Sequence, residues 1–166
     1  HSELMLKFFG GNIRVDGLTV GCRRVENLHA QHMEIPGDIS SAAYFITAAL
    51  LVPHSDLTIR NVGINPTRTG ILDMYRAMGA RIEILNERSA GGEKAADLHI
   101  MSSPLKAVKL GGEVIPRIID ELPVFITAAA FAEGTTEISG LSGFKIKESG
   151  RIRLLAGELA KMGAAV

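Results

Sequence analysis

Two stretches of the chain, Ile39 to Leu51 and Glu121 to Ala132, are apolar nearly all the way round, rich in alanine and long enough for three helical turns. That pattern predicts helices buried on several sides. Two later stretches carry apolar residues on one face only. Ile71, Leu72, Tyr75 and Met78 recur at helical spacing with Asp73 and Arg76 outside it, and Ile152, Leu155, Leu159 and Met162 repeat the arrangement. These predict half-exposed outer helices. Gly79 and Gly163 stand where a left-handed C-terminal cap belongs, and Arg81 to Leu85 and Val166 read as the starts of strands beyond them. Leu57 to Val62, Leu98 to Met101, Ala107 to Leu110 and Thr135 to Ser139 have strand length and composition, with Gly, Pro or Ser at their borders. Asn86 to Ala95, polar and glycine-containing between strand-like runs, predicts a solvated hairpin loop.

The pattern repeats. Phe45-Ile46-Thr47-Ala48-Ala49 returns as Phe125-Ile126-Thr127-Ala128-Ala129, 80 residues later, and Ile35-Pro36 matches Ile115-Pro116 at the same offset. Met78-Gly79-Ala80-Arg81-Ile82 resembles Met162-Gly163-Ala164-Ala165-Val166 and, more loosely, Phe9-Gly10-Gly11-Asn12-Ile13. One supersecondary unit is therefore reused, and its copies pack on one another. The fold class that follows is α/β, built from repeats of strand, helix, strand, helix, strand, strand. The first copy shows only a terminal helix, His1 to Gly10, and the last stops after its second helix, so the expectation is a piece of a longer polypeptide.

Composition narrows the function. Hydrophobic residues make up 46% of the 166 and charged residues 22%, with 18 Lys+Arg against 18 Asp+Glu. A disordered chain would be poorer in apolar residues, and a general nucleic-acid or membrane-surface binder would be basic, so neither partner is expected. The longest uncharged stretch, Ile39 to Pro53, falls short of the ~20 apolar residues that span a bilayer. No basic-then-apolar leader precedes the first structured segment, which points to the cytoplasm. The single cysteine, Cys22, agrees with a reducing compartment and reads as a buried or inert thiol.

Candidate chemistry is concentrated in two places. Glycine-rich nucleotide loops and the Gly-x-Ser-x-Gly elbow are absent, and of five histidines only His29 and His32 lie close, without the Cys or Asp neighbours a metal would want. Lys145-Ile-Lys147-Glu148-Ser149-Gly-Arg151-Ile-Arg153 puts four cations and one carboxylate just before an amphipathic helix, whose N-terminal amides favour an anion. Phosphate or carboxylate binding is one reading of it; a solvated, charged helix start is the other. Asp120-Glu121 precedes the second buried helix. There Asp120 can cap the helix or act as a base at its edge. Gly37-Asp38-Ile-Ser40-Ser41 occupies the corresponding place in the first copy, with Ser40 and Ser41 expected as caps.

Four strings in order, Pro36-Gly-Asp-Ile-Ser-Ser-Ala-Ala-Tyr-Phe45, Asn65-Pro-Thr-Arg-Thr-Gly-Ile-Leu72, Ile118-Ile-Asp-Glu-Leu-Pro123 and Lys147-Glu-Ser-Gly-Arg151, resemble the 5-enolpyruvylshikimate-3-phosphate synthase family. The resemblance implies two similar domains of three such units each, with substrates in the cleft between them. Residues 1–34 would then end the first domain and 35–166 would supply nearly two units of the second, the crossover falling near Glu34 to Gly37. It also implies transfer of the carboxyvinyl group of phosphoenolpyruvate to the 5-hydroxyl of shikimate 3-phosphate, with release of phosphate and no metal or organic cofactor. In that scheme Asp120 accepts the hydroxyl proton, Glu148 passes a proton to and from the methylene carbon, and Lys147 and Arg151 bind the anionic groups. The rest of the polypeptide would be needed, so the 166 residues alone are expected to be inactive. The family's usual Asp is replaced by Gly150, which is expected to loosen the helix start and displace Arg151. A non-catalytic anion-binding domain and a UDP-N-acetylglucosamine carboxyvinyltransferase-like enzyme are the alternatives, the second lacking a Lys-Glu-Ser-x-Arg string.

Overall fold

Residues 1–34 fold as a helix, α1 (Ser2–Phe8), and an antiparallel hairpin of β1 (Asn12–Asp16) and β2 (Thr19–Arg23), in a computed structural model that describes residues 1–141 and 148–166. Ile13 is the one buried residue among them. The first repeat unit follows as α2 (Ile39–Leu51), β3 (Asp56–Gly63), α3 (Gly70–Ala77), β4 (Arg81–Ala90) and β5 (Glu93–Met101). The second runs through β6 (Lys109–Leu110), a 3₁₀ helix (Gly112–Arg117), α4 (Leu122–Ala129), β7 (Glu137–Ile138) and α5 (Glu148–Lys161). In each unit the segment before the buried helix pairs in parallel with the strand after it. Gly37 bridges Val62, and β6 pairs with β7. Such parallel neighbours require the helix as a crossover.

Helix α2 begins and ends where its apolar pattern does. The three helix ends with the Met/Phe-Gly echo all turn through a left-handed glycine, Gly10 at φ 91°, Gly79 at 89° and Gly163 at 92°. No side chain is comfortable there, which is why the glycine recurs.

The three-stranded antiparallel sheet, in the order β3-β5-β4, separates two environments. Ala96, Leu98 and Ile100, alternating along β5, meet Ile82 of β4 and face the helices, where Ile46, Leu50, Ile71, Tyr75 and Phe125 complete the core. Tyr75 stacks on Phe125, with ring centroids 5.9 Å apart and planes inclined by 27°. Burial pushes the Tyr75 hydroxyl up to about 12. It therefore stays protonated and donates to Thr47 Oγ1, whose own proton goes to the Ala43 carbonyl at 2.7 Å.

The opposite face of the sheet carries His99 between two carboxylates, Asp56 at 2.8 Å and Glu83 at 3.4 Å. The bond to Asp56, then that to Glu83, raises the His99 ring above the ordinary histidine range. A folded-state pKa above the unfolded one stabilises most fully below about pH 6.5, and that contribution disappears as pH rises through the folded value. Melting temperatures should therefore separate His99→Gln from the parent at pH 5.5 and converge at pH 9. An equal gap at both pH values would rule the effect out.

Several expected elements differ in extent. Asn86 to Ala95 is not a loop: β4 continues to Ala90, β5 starts at Glu93, and the turn is Gly91-Gly92, both with positive φ. Its polar residues pair with one another across the strands, Asn86 and Arg88 both reaching Asp97. Arg88 also donates to Asn61. Helix α2 is not covered on all sides, since Tyr44 and Phe45 are exposed; it packs on β3, β5 and α4 along one side only. Helix α4 stops at Ala129 because the next turn tightens into i to i−3 bonds at Phe131 and Ala132. On α5, Leu159 is buried, but Met162 lies past the last helical residue and is 83% exposed. Residues 164–166 form no strand.

Candidate active site

Three segments distant in sequence meet at the N-terminal ends of α2 and α4. At α2 the cap is Asp38, not the serines. Its carboxylate accepts from the amides of Ser40 (3.3 Å) and Ser41 (2.9 Å) and from the Ser41 hydroxyl (2.9 Å). Burial pushes the Asp38 carboxyl up, but those bonds and the nearby Arg68 charge outweigh it and hold the group below its ordinary value. The Ser40 hydroxyl is free of capping and turns the other way, donating to Glu121 Oε1.

At α4 neither acidic residue caps the helix with its side chain. The offset of 80 sets Asp120 opposite Ser40 and Glu121 opposite Ser41, yet the two carboxylates part company. Glu121 points inward and is 3% exposed. Burial raises its carboxyl above the ordinary range, and Asp120 adds to that, while Ser40 and Arg68 offset part of it. Asp120 points outward, its side chain 61% exposed.

The third segment is the turn between β3 and α3. Asn65, buried, accepts from the Thr67 amide at 3.0 Å and hydroxyl at 2.8 Å, an arrangement that folds the chain back on itself. Arg117 of the 3₁₀ helix holds the turn from outside, donating to the Pro66 carbonyl at 2.8 Å and pairing with Asp73 at 2.6 Å. Gly70 fits against Arg117 so closely that a Cβ there would lie 2.8 Å from its carbonyl oxygen. From this turn Arg68 projects into the cluster. Its Nη2 donates to Ser40 Oγ at 2.7 Å and lies 3.7 Å from Asp120 and 3.9 Å from Asp38.

Beside Asp38 and Arg68 opens a hollow of about 380 Å³, walled by Met5 of α1, by Met33, Ile35 and Pro36 of the connecting segment, and by Glu93 of β5. The cluster thus offers two exposed carboxylates beside a guanidinium, and of these Asp38 lines a partly apolar hollow. Such a carboxylate can accept a proton from a bound hydroxyl.

The whole chain, residues 1–166, matches the family model of EPSP synthase (3-phosphoshikimate 1-carboxyvinyltransferase). The chain belongs to the EPSP synthase family. A 3-phosphoshikimate 1-carboxyvinyltransferase of Thermoanaerobacter sp. (strain X514) is 50% identical over 166 residues, all of this chain and 39% of that protein. One of Thermosynechococcus vestitus is 51% identical over 168 residues, again all of this chain and 38% of that protein. An EPSP synthase structure from Acinetobacter baumannii superposes with a TM-score of 0.90 at 40% identity, covering 95% of this chain and 36% of that one. The chain therefore spans about 39% of the length of the curated relatives it matches, an incomplete portion of the mixed α/β fold of EPSP synthases.

Of the residues singled out from the sequence, Asp120 lies in the cluster. Arg151 lies on the first turn of α5, exposed, and α5 packs against α4. Lys147 and the side chain of Glu148 lie outside the described residues. Gly150 is helical within α5, and a Cβ there would meet open space. Arg68, Ser40 and Glu121 escaped the reading of the sequence as site residues. The signals were there, an arginine inside an Asx-type turn and the pairing of Ser40 with Asp120 at the repeat offset. Among the described residues no helix is long and apolar enough to cross a membrane.

Proposed function

We propose that the complete polypeptide containing these residues transfers the carboxyvinyl group of phosphoenolpyruvate to the 5-hydroxyl of shikimate 3-phosphate. The hydroxyl oxygen bonds to the enol carbon while a proton adds to the methylene. The tetrahedral intermediate then loses phosphate and a methyl proton to restore the double bond. Asp120 accepts the hydroxyl proton, Glu148 carries the proton to and from the methylene carbon, and Lys147 and Arg151 bind the anionic groups. Each charge-assisted contact to a buried phosphate or carboxylate would contribute roughly 1.5–3 kcal/mol.

The observation that carries this reading is the family match over every residue of the chain, with Asp120 exposed beside Arg68. In the same reading residues 1–34 end one domain and residues 35–166 supply nearly two units of the second. The remainder of the polypeptide contributes the other half of the cleft. The hollow supports this, since Met5 and Met33 line it from one side and Asp38 and Arg68 from the other. The setting is cytoplasmic, consistent with the lone free thiol of Cys22. Phosphate release by the complete polypeptide tests the activity. It should require both phosphoenolpyruvate and shikimate 3-phosphate, and no release with both present overturns the reading.

A further inference from the structure

We propose that Arg68 is a positioning residue that holds the Asp120 carboxylate in its working orientation, itself aimed by Ser40; the inference rests on the reading of Asp120 as proton acceptor. Asp120 lies in the short turn between the 3₁₀ helix and α4, and 61% of its side chain is exposed. A carboxylate so placed turns freely unless something holds it. Among the described residues, the cation within ion-pair range of it is Arg68, at 3.7 Å.

Arg68 is well suited to the task because its own position is fixed twice. Asn65, Arg117 and the close approach at Gly70 lock the turn from which it springs. Its Nη2 then meets the Ser40 hydroxyl at 2.7 Å, and that hydroxyl has one proton to give, which goes to the buried Glu121. With its proton committed, Ser40 can only accept from Arg68. The chain of contacts runs from a carboxyl inside the protein, through one hydroxyl and one guanidinium, to a carboxylate at the surface. Folding does not account for the last link, because exposed ion pairs add little to stability. Catalysis does: displacement of a reacting group by about 1 Å can cost ~100-fold in rate.

Steady-state kinetics on the complete polypeptide test this with Arg68→Gln, Arg68→Lys, Asp120→Asn and the double variant Arg68→Gln/Asp120→Asn. Arg68→Gln should lower kcat by about 10- to 100-fold, within the range that misplacement produces, with a smaller change in KM for shikimate 3-phosphate. Arg68→Lys, which keeps the charge and the fold, should lose less. The deciding readout is the cycle: in the Asp120→Asn background, Arg68→Gln should cost nothing further, because the group it holds is already gone. Free guanidinium should restore part of the kcat of Arg68→Ala, a recovery that a merely structural defect would not show. Wild-type kcat in both Arg68→Gln and Arg68→Lys overturns the inference, as does an undiminished loss in the Asp120→Asn background. Wild-type kcat in Asp120→Asn alone overturns the underlying reading instead, and the inference with it.

Discussion

Asp120→Asn in the complete polypeptide should lose about 10²- to 10⁴-fold in kcat, the range that a positioned general base contributes. The exchange is nearly isosteric and falls on a side chain that is 61% exposed, so unfolding free energy should change by no more than about 0.5 kcal/mol. What disappears is the acceptor. An amide cannot take the hydroxyl proton, and beside the Arg68 guanidinium it no longer offers a negative charge. Glu148→Gln should produce a comparable loss through the other proton, the one exchanged with the methylene carbon. The check is turnover with both substrates alongside a melting curve and the affinity for shikimate 3-phosphate. Retained kcat in both variants would remove Asp120 and Glu148 from the proton transfers, whereas no turnover in the unsubstituted polypeptide would favour an anion-binding protein without catalysis.

Phe125→Ala should lower unfolding free energy by about 3–5 kcal/mol, the cost of removing a buried aromatic ring and leaving a cavity. Phe125 is fully buried and stacks on Tyr75. The control is built into the chain. Phe45 begins the same pentapeptide in the earlier copy, yet it is 65% exposed, and Phe45→Ala should stay within about 0.5 kcal/mol. Urea unfolding of the two variants checks the pair. Equal losses would mean that the two helices do not differ in burial as described.

That contrast shows what could be read from the residues alone. Helix α2, the apolar face of α3 and the three glycine turns follow from local pattern, since periodicity and the left-handed cap need no distant partner. The different fates of Phe45 and Phe125 do not, because identical neighbours give identical local signals and only the surroundings differ. The β4–β5 hairpin was hidden for a related reason. Its polar residues satisfy one another around Asp97, drawing on Asn61 from 36 residues earlier, so polarity did not mean loop. In the site, Asp120 and Asp38 stand beside recognisable helix starts. Arg68 reaches Ser40 across 28 residues and Ser40 reaches Glu121 across 81, separations that no spacing rule covers.

The neighbouring starts of α2 and α4 carry a historical consequence. Copies of one ancestral unit would have given Arg68 the same group twice, two hydroxyls or two carboxylates, and neither pair distinguishes one side of a ligand from the other. At the offset of 80 the two copies differ instead, with Ser40 opposite Asp120 and Ser41 opposite Glu121. The earlier copy anchors the guanidinium through a hydroxyl, and the later one sets an exposed carboxylate beside it. The repeat makes the two helix starts alike, and the unlike residues on them give one guanidinium two different partners.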